Sequence, residues 1–465
     1  MHLTSPAFLF LFLPLSLLYI PFCPPKRRKA VLSLFSIAWF FLANLSHPLS
    51  LIQIGFLLFV VSALSMLPEK LPPRFRLFLG IGVPLATFLT ARILAEYAPD
   101  QYTYPFGLGL VTLGAISLSI DRYRGDAPER DTPLDTLGYL LFFPTLTVGP
   151  ILRYKQYLYM TEHIRPSYAA FSAGAIRYMI GFLKRVSVAS VLSACLFPLL
   201  RADDAIFSLP MLIFVLLLSF FFLYFIISGT TDMARGLLQI YGLTPPRGQG
   251  QVFTSAAPHR MLSHVLLSLD RFIEDYVASP LRRKYGPKTG HVLSCLAFFL
   301  CTLLFYRTNF ALLLFGLPLL FTALLFTRHG RWKRTVKNRY VRPLLSLLSA
   351  CLLSFTALAM MLDDPMRLFS ILGSVFSQNG HPLIYQVLAT LTYGRYLLWV
   401  LPIALACIPL VRLFAVLSHR LPTRVRAGLA AGGTLLCFLA FFFALVFFYP
   451  QFPGYAEMTY RYFAS

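Results

Sequence analysis

The chain has 465 residues, 57% of them hydrophobic and only 13% charged, with 41 Lys and Arg against 18 Asp and Glu. Mean hydropathy is +0.70. Soluble domains run roughly 45–50% apolar and about 25% charged. These figures exclude a soluble enzyme and a disordered chain, and they predict a multipass helical membrane protein.

The first apolar stretch, 5–22, has no basic segment ahead of it and no small-residue cleavage pattern, so it reads as a retained first span with an external N-terminus. Further spans are expected near 30–46, 49–67, 76–96 and 104–120, and an apolar stretch covers 134–152. An amphipathic region follows at 168–200, then a strong span at 207–229 and a polar-interrupted region to about 287. Spans resume at 288–306, 309–327, 343–362, 395–416 and 427–449. The middle, 134–290, has short, Pro-interrupted or amphipathic runs of the kind that form re-entrant or interfacial helices inside a bundle. No repeat and no linker divides the chain, so it reads as one integral domain: N-terminal spans 1–130, a motif-bearing core 131–330 and C-terminal spans 331–465.

The charge excess does not form a nucleic-acid-binding patch. It falls in short clusters between apolar segments: Lys26 to Lys29, Lys70 to Arg76, Arg282 to Lys284, Arg328 to Arg342 and Arg420 to Arg426. With the N-terminus outside, the clusters at 26–29, 70–76, 328–342 and 420–426 lie on the cytoplasmic side, as the positive-inside pattern requires, and 363–394 lies outside. The seven cysteines are scattered, mostly through apolar runs and without a Cys-x-x-Cys pair, which suggests neither a disulfide framework nor a metal site.

Ionisable groups in apolar stretches are the first functional candidates. Asp232 follows a strong span in Ser228-Gly229-Thr230-Thr231-Asp232. Such a run is expected to loosen or end a helix, leaving Asp232 as a buried cap, as the partner of a nearby Arg, or as a cavity-lining group. A second candidate runs from Leu141 to Tyr154, where Pro144, Gly149 and Pro150 break an apolar run that ends at Arg153 and Lys155. It predicts a helix that stops inside the membrane or at its face, either as a kink or as a site. A third is Tyr306-Arg307-Thr308-Asn309 between two strong spans, which also reads as an interfacial anchor. None of the nine histidines sits in the middle of a clear apolar run; His264 lies in the amphipathic region and His381 in the presumed external stretch.

Taken in order, these segments resemble the membrane-bound O-acyltransferase (MBOAT) family, in its bacterial branch of alginate O-acetyltransferases and teichoic-acid D-alanyl-transfer proteins. The resemblance rests on Phe8 to Pro14, Asp121 to Gly125, Phe142-Phe143-Pro144 through Gly149-Pro150-Ile151-Leu152-Arg153-Tyr154, Gly174 to Lys184, Ser228 to Gly236, Asp275-Tyr276 with Pro280-Leu281, and Leu304 to Gly316. It implies an all-α ring of about 11–13 spanning helices, with re-entrant or interfacial helices around a central tunnel. It further implies transfer of an acyl group, with acetyl as the leading choice, to a hydroxyl of an exported or cell-surface glycan. The donor would be acetyl-CoA or an acyl-carrier protein, with no resident cofactor and no metal. Implied partners are membrane lipids, an acyl-carrier or acyl-relay protein and an extracytoplasmic glycan-modifying protein, in a bacterial inner membrane.

A tunnel histidine serves such transferases as general base, because imidazole exchanges its proton near neutral pH. At that position this sequence has Tyr306, followed by Arg307 in place of a glycine. The second common histidine falls at Leu266, with His264 two residues earlier. The resemblance makes Tyr306 or His264 the candidate base. It places Pro144, Gly149, Pro150, Arg153, Ser228, Asp232, Arg307 and Asn309 along the tunnel or substrate path. The alternative is a scaffold that has lost transfer chemistry and binds a partner instead.

Overall fold

The computed structural model describes residues 3–45, 48–66, 72–98, 101–128, 132–146, 150–201, 207, 209–246, 267–306, 341–362, 365–377 and 423–448. Those residues are helical nearly throughout, with no strand among them. After a π-helical turn, Phe8–Phe12, come α1 (Leu13–Phe22), α2 (Pro25–Asn44), α3 (Pro48–Met66), α4 (Pro73–Tyr97) and α5 (Leu108–Arg124). Then follow α6 (Pro133–Leu140), α7 (Tyr154–Glu162), α8 (Tyr168–Phe182), α9 (Ala189–Arg201) and α10 (Leu209–Ile240). The later helices are α11 (Leu267–Ile273), α12 (Ser279–Tyr306), α13 (Val341–Met361), α14 (Pro365–Ser377) and α15 (Thr423–Phe443). Helices α2, α4 and α6 each begin with a proline at the first helical position, where its missing N–H costs nothing.

The chain is an integral multipass membrane protein. Four of the described segments are long and apolar enough to cross a bilayer: Pro73–Tyr97, Tyr168–Arg201, Leu209–Ile240 and Leu344–Met361. Shorter apolar helices join them at Phe8–Tyr19 and Pro48–Leu64. Large apolar side chains such as Phe22, Phe59, Phe78 and Leu436 are exposed on α1, α3, α4 and α15, which a bilayer satisfies and water does not. The spans expected at 309–327 and 395–416 lie outside the described residues.

Two sequence expectations need correction. The region 168–200 is more than an interfacial amphipath: α8, a π-helical segment at Leu183–Val188 and α9 run on as one helical stretch of spanning length. Nor does the span at 207–229 end in the Ser-Gly-Thr-Thr run, because α10 continues to Ile240 with Asp232 in its interior rather than at a cap. The helix survives because Thr230 and Thr231 each donate their hydroxyl to the carbonyl one turn back, Ile226 and Ile227, both at 2.7 Å. That satisfies each hydroxyl without breaking the backbone ladder.

Helix α10 is the most buried of the four candidate spans, and α8 is its main partner. The two run antiparallel with four glycines in register. A methyl group on Gly181 would lie 2.6 Å from the Gly229 carbonyl oxygen, and one on Gly174 would lie 2.7 Å from that of Gly236. Each pair of glycines on a helix is seven residues apart, two turns, so both lie on one face. Backbone-to-backbone approach of this kind drives helix association where lipid removes the hydrophobic contrast.

The helix ends define two faces. On one, Arg28 donates to the Ile164 carbonyl (3.3 Å), Lys29 pairs with Asp135 (2.9 Å) and Arg124 donates to the Asp275 carbonyl (3.1 Å). The start of α4, carrying Arg74 and Arg76, reaches the same face, because Ser119 near the end of α5 donates to Gly80 (3.2 Å). On the other face, Asn44 accepts from the Phe106 amide (2.8 Å) and closes the α4–α5 connection.

The glycine seam sets a stability test. Gly181→Ala forces two backbones apart and should cost at least the roughly 1–3 kcal/mol of core overpacking. Gly82→Ala, with nothing within 4 Å of the added methyl, should leave stability unchanged or slightly raised. Thermal unfolding of both variants in detergent checks this; equal melting temperatures would remove the seam from the account.

Candidate functional site

The segment 132–153 enters the protein and returns on the same side. Thr132 caps α6, accepting from the Asp135 amide at 3.2 Å and donating to the Asp135 carboxylate at 2.8 Å. Eight residues carry α6 about 12 Å inward. The chain then turns at Leu141–Leu146, and Phe142 and Phe143 bury completely against Phe8, Phe12, Trp39, Tyr157 and Tyr241. Pro144 lies within this turn and Pro150 on the way back, each where a backbone N–H has no ladder to join. The buried Tyr139 hydroxyl of α6 donates to the Leu152 carbonyl (2.8 Å) and holds the returning segment against the helix. At Arg153 the chain is back at the basic face and begins α7, whose nine residues are too short to cross. The stop inside the membrane expected from the prolines is thus a re-entrant turn. Gly149 falls outside the described residues.

A polar clamp receives Arg153. Its guanidinium pairs with the Asp275 carboxylate. Arg124 donates to the carbonyl of that same Asp275 and lies over the Tyr276 ring, 5.4 Å from its centre. Tyr276 is buried and donates to Asp121 (2.8 Å), while Ser117 shares a 2.7 Å hydrogen bond with the same phenol. Burial holds the Tyr276 phenol well above its ordinary range, so it stays protonated as the donor to Asp121. Gly125, at φ +76°, makes the left-handed turn that ends α5, with the Asp126 amide bonded back to the Asp121 carbonyl (2.8 Å). The clamp residues Asp121, Arg124, Arg153, Asp275 and Tyr276 line a cavity of about 940 Å³. Lys155, Arg283 and Lys284 add positive charge to that cavity, and Asp126 adds a further carboxylate.

A second polar cluster lies in the α8–α10 interface. Lys184, buried, donates to Ser228 at 3.1 Å and pairs with Asp232 at 2.6 Å. Arg235 lies 3.9 Å from the other oxygen of Asp232, and Arg185 donates to Thr230 at 2.8 Å. Asp232 is eight residues from the end of α10, about 12 Å along the helix axis. The carboxylate is therefore neutralised mainly by a lysine from the neighbouring helix; the arginine expected as partner is present but secondary. The π-helical segment that carries Lys184 and Arg185 widens the turn and brings both cations to the α10 side.

Of the residues expected to line a path, Arg153 joins the clamp, Ser228 and Asp232 join the Lys184 cluster, and Pro144 and Pro150 shape the re-entrant turn. Tyr306 is the last residue of α12, which is helical on both sides of a break at Gly286 (φ +80°). The side chain of Tyr306 and the positions Arg307, Asn309, His264 and His381 lie outside the described residues. Lys184, Asp121, Asp275 and Tyr276 were not singled out as site residues from sequence. Lys184 carried a readable signal, an ionisable side chain inside a helix of spanning length. Among the described residues no group of three metal-ligating side chains occurs.

The Lys184–Asp232 pair gives a direct test. Lys184→Met strands a half-buried carboxylate between helices and should cost about 3 kcal/mol or more. Adding Asp232→Leu should recover most of that loss, because the uncompensated charge is gone. Unfolding of the single and double variants in detergent measures both; a double variant no better than the single one would contradict the pairing.

Residues 129–274, which contain the re-entrant segment and the whole glycine seam, match the family model described as MBOAT, membrane-bound O-acyltransferase family. The chain is 26% identical over 251 residues to a protein named "Probable alginate O-acetylase AlgI" from Pseudomonas aeruginosa, covering 53% of this chain and 45% of that one. The protein of the same name from Pseudomonas putida is 26% identical over 283 residues, 56% of this chain and 55% of the other. A "Teichoic acid D-alanyltransferase" from Streptococcus thermophilus is 28% identical over 178 residues, 37% of this chain and 42% of that one. The chain spans about half the length of the curated relatives it matches. The re-entrant turn and the packed α8–α10 pair fall inside the segment 129–274 that is similar to the membrane-bound O-acyltransferase family.

Proposed function

We propose that this protein is a membrane O-acyltransferase that moves an acyl group, acetyl in the first instance, onto a hydroxyl of an exported or cell-surface glycan. The observation that carries the reading is the family domain over 129–274, supported by relatives named for alginate O-acetylation and teichoic-acid D-alanylation. In this reaction the acceptor oxygen attacks the donor carbonyl, a base takes the hydroxyl proton, and the carrier thiol leaves. The donor is acetyl-CoA or an acyl-carrier protein. The bilayer is a bacterial inner membrane with the N-terminus outside, which makes the Lys26–Lys29 face cytoplasmic. The clamp at Arg153 and Asp275 then opens to the side where the donor is made.

The base is the unusual point. A tyrosine phenol has an ordinary pKa near 10, so Tyr306 serves as base only if a neighbouring cation such as Arg307 lowers that value by favouring the phenolate. A second reading follows from the resemblance: if Tyr306 and Leu266 stand at the family's two histidine positions, as it implies, the protein would be a scaffold that binds a partner without turnover.

The test uses purified full-length protein in nanodiscs with radiolabelled acetyl-CoA or acetylated carrier protein and a mixture of glycan acceptors. Acetyl transfer by the wild type, reduced about 100-fold or more in Tyr306→Phe, assigns the base to Tyr306. The same loss in His264→Ala, with Tyr306→Phe unaffected, assigns it to His264. Absence of transfer from every donor, with normal folding, favours the scaffold.

A further inference from the structure

Beside the glycine seam, α8 and α10 each carry a stripe that grows more buried with depth. Arg177 and Lys184 stand three residues beyond Gly174 and Gly181, and Asp232 and Gln239 three beyond Gly229 and Gly236, so both stripes share the edge where Lys184 meets Asp232. On α8, Ala169 and Ala173 are exposed, Arg177 is half-buried and Lys184 is buried. On α10, Gln239, Arg235 and Asp232 are half-buried and Ser228 is buried. Arg28 donates to the Ile164 carbonyl and the Arg165 amide to the Gly242 carbonyl, which places the start of α8 and the end of α10 at the basic face. The two stripes therefore bound a cleft that opens at that face and closes at the Lys184–Ser228 hydrogen bond (3.1 Å).

The cleft is not satisfied by its own residues. Arg177, Lys184 and Arg235 face one carboxylate, Asp232, which leaves a surplus of two positive charges. Helix α8 holds no acid and α10 holds Asp232 alone. Lys184 takes that carboxylate at 2.6 Å. Arg235 donates its Nε to the Pro246 carbonyl (3.0 Å), and its other end lies 3.9 Å from Asp232, beyond hydrogen-bond range. Arg177 has neither a hydrogen bond nor an ion pair among the described residues, and it repels Arg235. The Gln239 amide oxygen is buried without a hydrogen-bond partner. Half-buried cations and a buried acceptor left in this state cost free energy that a bound molecule of the right chemistry recovers.

These unmet groups specify the occupant. Arg177 and Arg235 need anionic oxygens, and Gln239 needs a donor. A phosphodiester with a hydroxyl beside it supplies both. A carboxylate supplies only the first, and an ammonium headgroup would bring another cation into a cleft with a positive surplus. Depth points to a lipid. Arg235 lies five residues, about 8 Å, inside the end of α10, and the headgroup layer is about 5–8 Å thick on each side of the hydrocarbon. Basic recesses between spanning helices receive anionic headgroups. We propose that the cleft along the α8–α10 seam seats the headgroup of an anionic, hydroxyl-bearing phospholipid from the leaflet at the basic face, its phosphate between Arg177 and Arg235 and its hydroxyl on Gln239. This does not rest on the acyl-transfer reading, and its test reads binding without turnover.

The full-length protein is reconstituted in phosphatidylcholine nanodiscs with a rising fraction of phosphatidylglycerol. Melting temperature is followed, and retained phosphatidylglycerol is counted by native mass spectrometry. A parallel arm adds soluble glycerol phosphate to discs of phosphatidylcholine alone. Three variants are compared with wild type: Arg177→Gln, Gln239→Leu, and Lys26→Gln/Arg27→Gln, exposed cations of the same face outside the cleft. In phosphatidylcholine alone Arg177→Gln should melt with wild type, since it breaks no pairing among the described residues. The expected result is a saturable, phosphatidylglycerol-dependent rise in melting temperature with retained lipid. Arg177→Gln should raise the lipid fraction needed about tenfold or more, Gln239→Leu should raise it several-fold, and Lys26→Gln/Arg27→Gln should leave it unchanged. No such rise, an equal loss in Lys26→Gln/Arg27→Gln, or the same stabilisation by glycerol phosphate without the lipid overturns the proposal.

Discussion

The approach of two helix backbones at four glycines is the constraint on which the rest of this structure depends. Gly174 and Gly181 of α8 face Gly236 and Gly229 of α10, and no side chain fits between them. At this distance the polar groups flanking the seam meet directly. Lys184 reaches Ser228 and Asp232, and Arg185 reaches Thr230, from positions that a wider interface would leave unpaired. In a bilayer an ion pair of this kind persists only if each charge finds its partner inside the protein. The seam makes that possible, and the pairing in turn fixes the register of the two helices.

The re-entrant turn is the second element with irregular backbone at membrane depth, and it is satisfied differently. Its six-residue reversal is packed in aromatic rings rather than paired with charges. Among the described residues its ion pairs lie at its two ends: Asp135 to Lys29 at the entry and Arg153 to Asp275 at the return. Both ends lie on the face where the basic clusters fall. Among the described residues, the more exposed ion pairs lie on that face, and the more buried cluster lies between α8 and α10.

The clamp links parts of the chain far apart in sequence. Asp121 closes α5, Arg153 opens α7, and Asp275 and Tyr276 form a π-helical turn ahead of α12. Since Tyr306 terminates α12, the clamp anchors the opposite end of the helix that carries the proposed base. The break at Gly286 lies between the two, so the orientation of the apolar half of α12 is set by its own packing as well as by the clamp.

Composition and periodicity determined that the chain crosses a membrane, and they placed α2 to α5, the half of α12 after Gly286, α13 and α15 to within about five residues, because apolar length is a local property that lipid enforces directly. The prolines at 144 and 150 announced a chain that could not continue as a helix, and the resemblance over ordered motifs pointed to the family whose model matches residues 129–274. Local sequence misread Ser228 to Asp232 as a helix end, because the hydroxyl groups that weaken an isolated helix are satisfied here within α10 itself while Lys184 of the neighbouring helix neutralises Asp232. It also left Asp121, Asp275 and Tyr276 unremarked as a site, since a carboxylate at a helix end is ordinary until Arg153 and Arg124 arrive from elsewhere in the chain. What the sequence settled were one-dimensional quantities: span length, charge placement and backbone breaks. Which charges face one another was decided only when close-packed helices brought residues 48 positions apart, as in Lys184 and Asp232, or 122 apart, as in Arg153 and Asp275, into hydrogen-bond range.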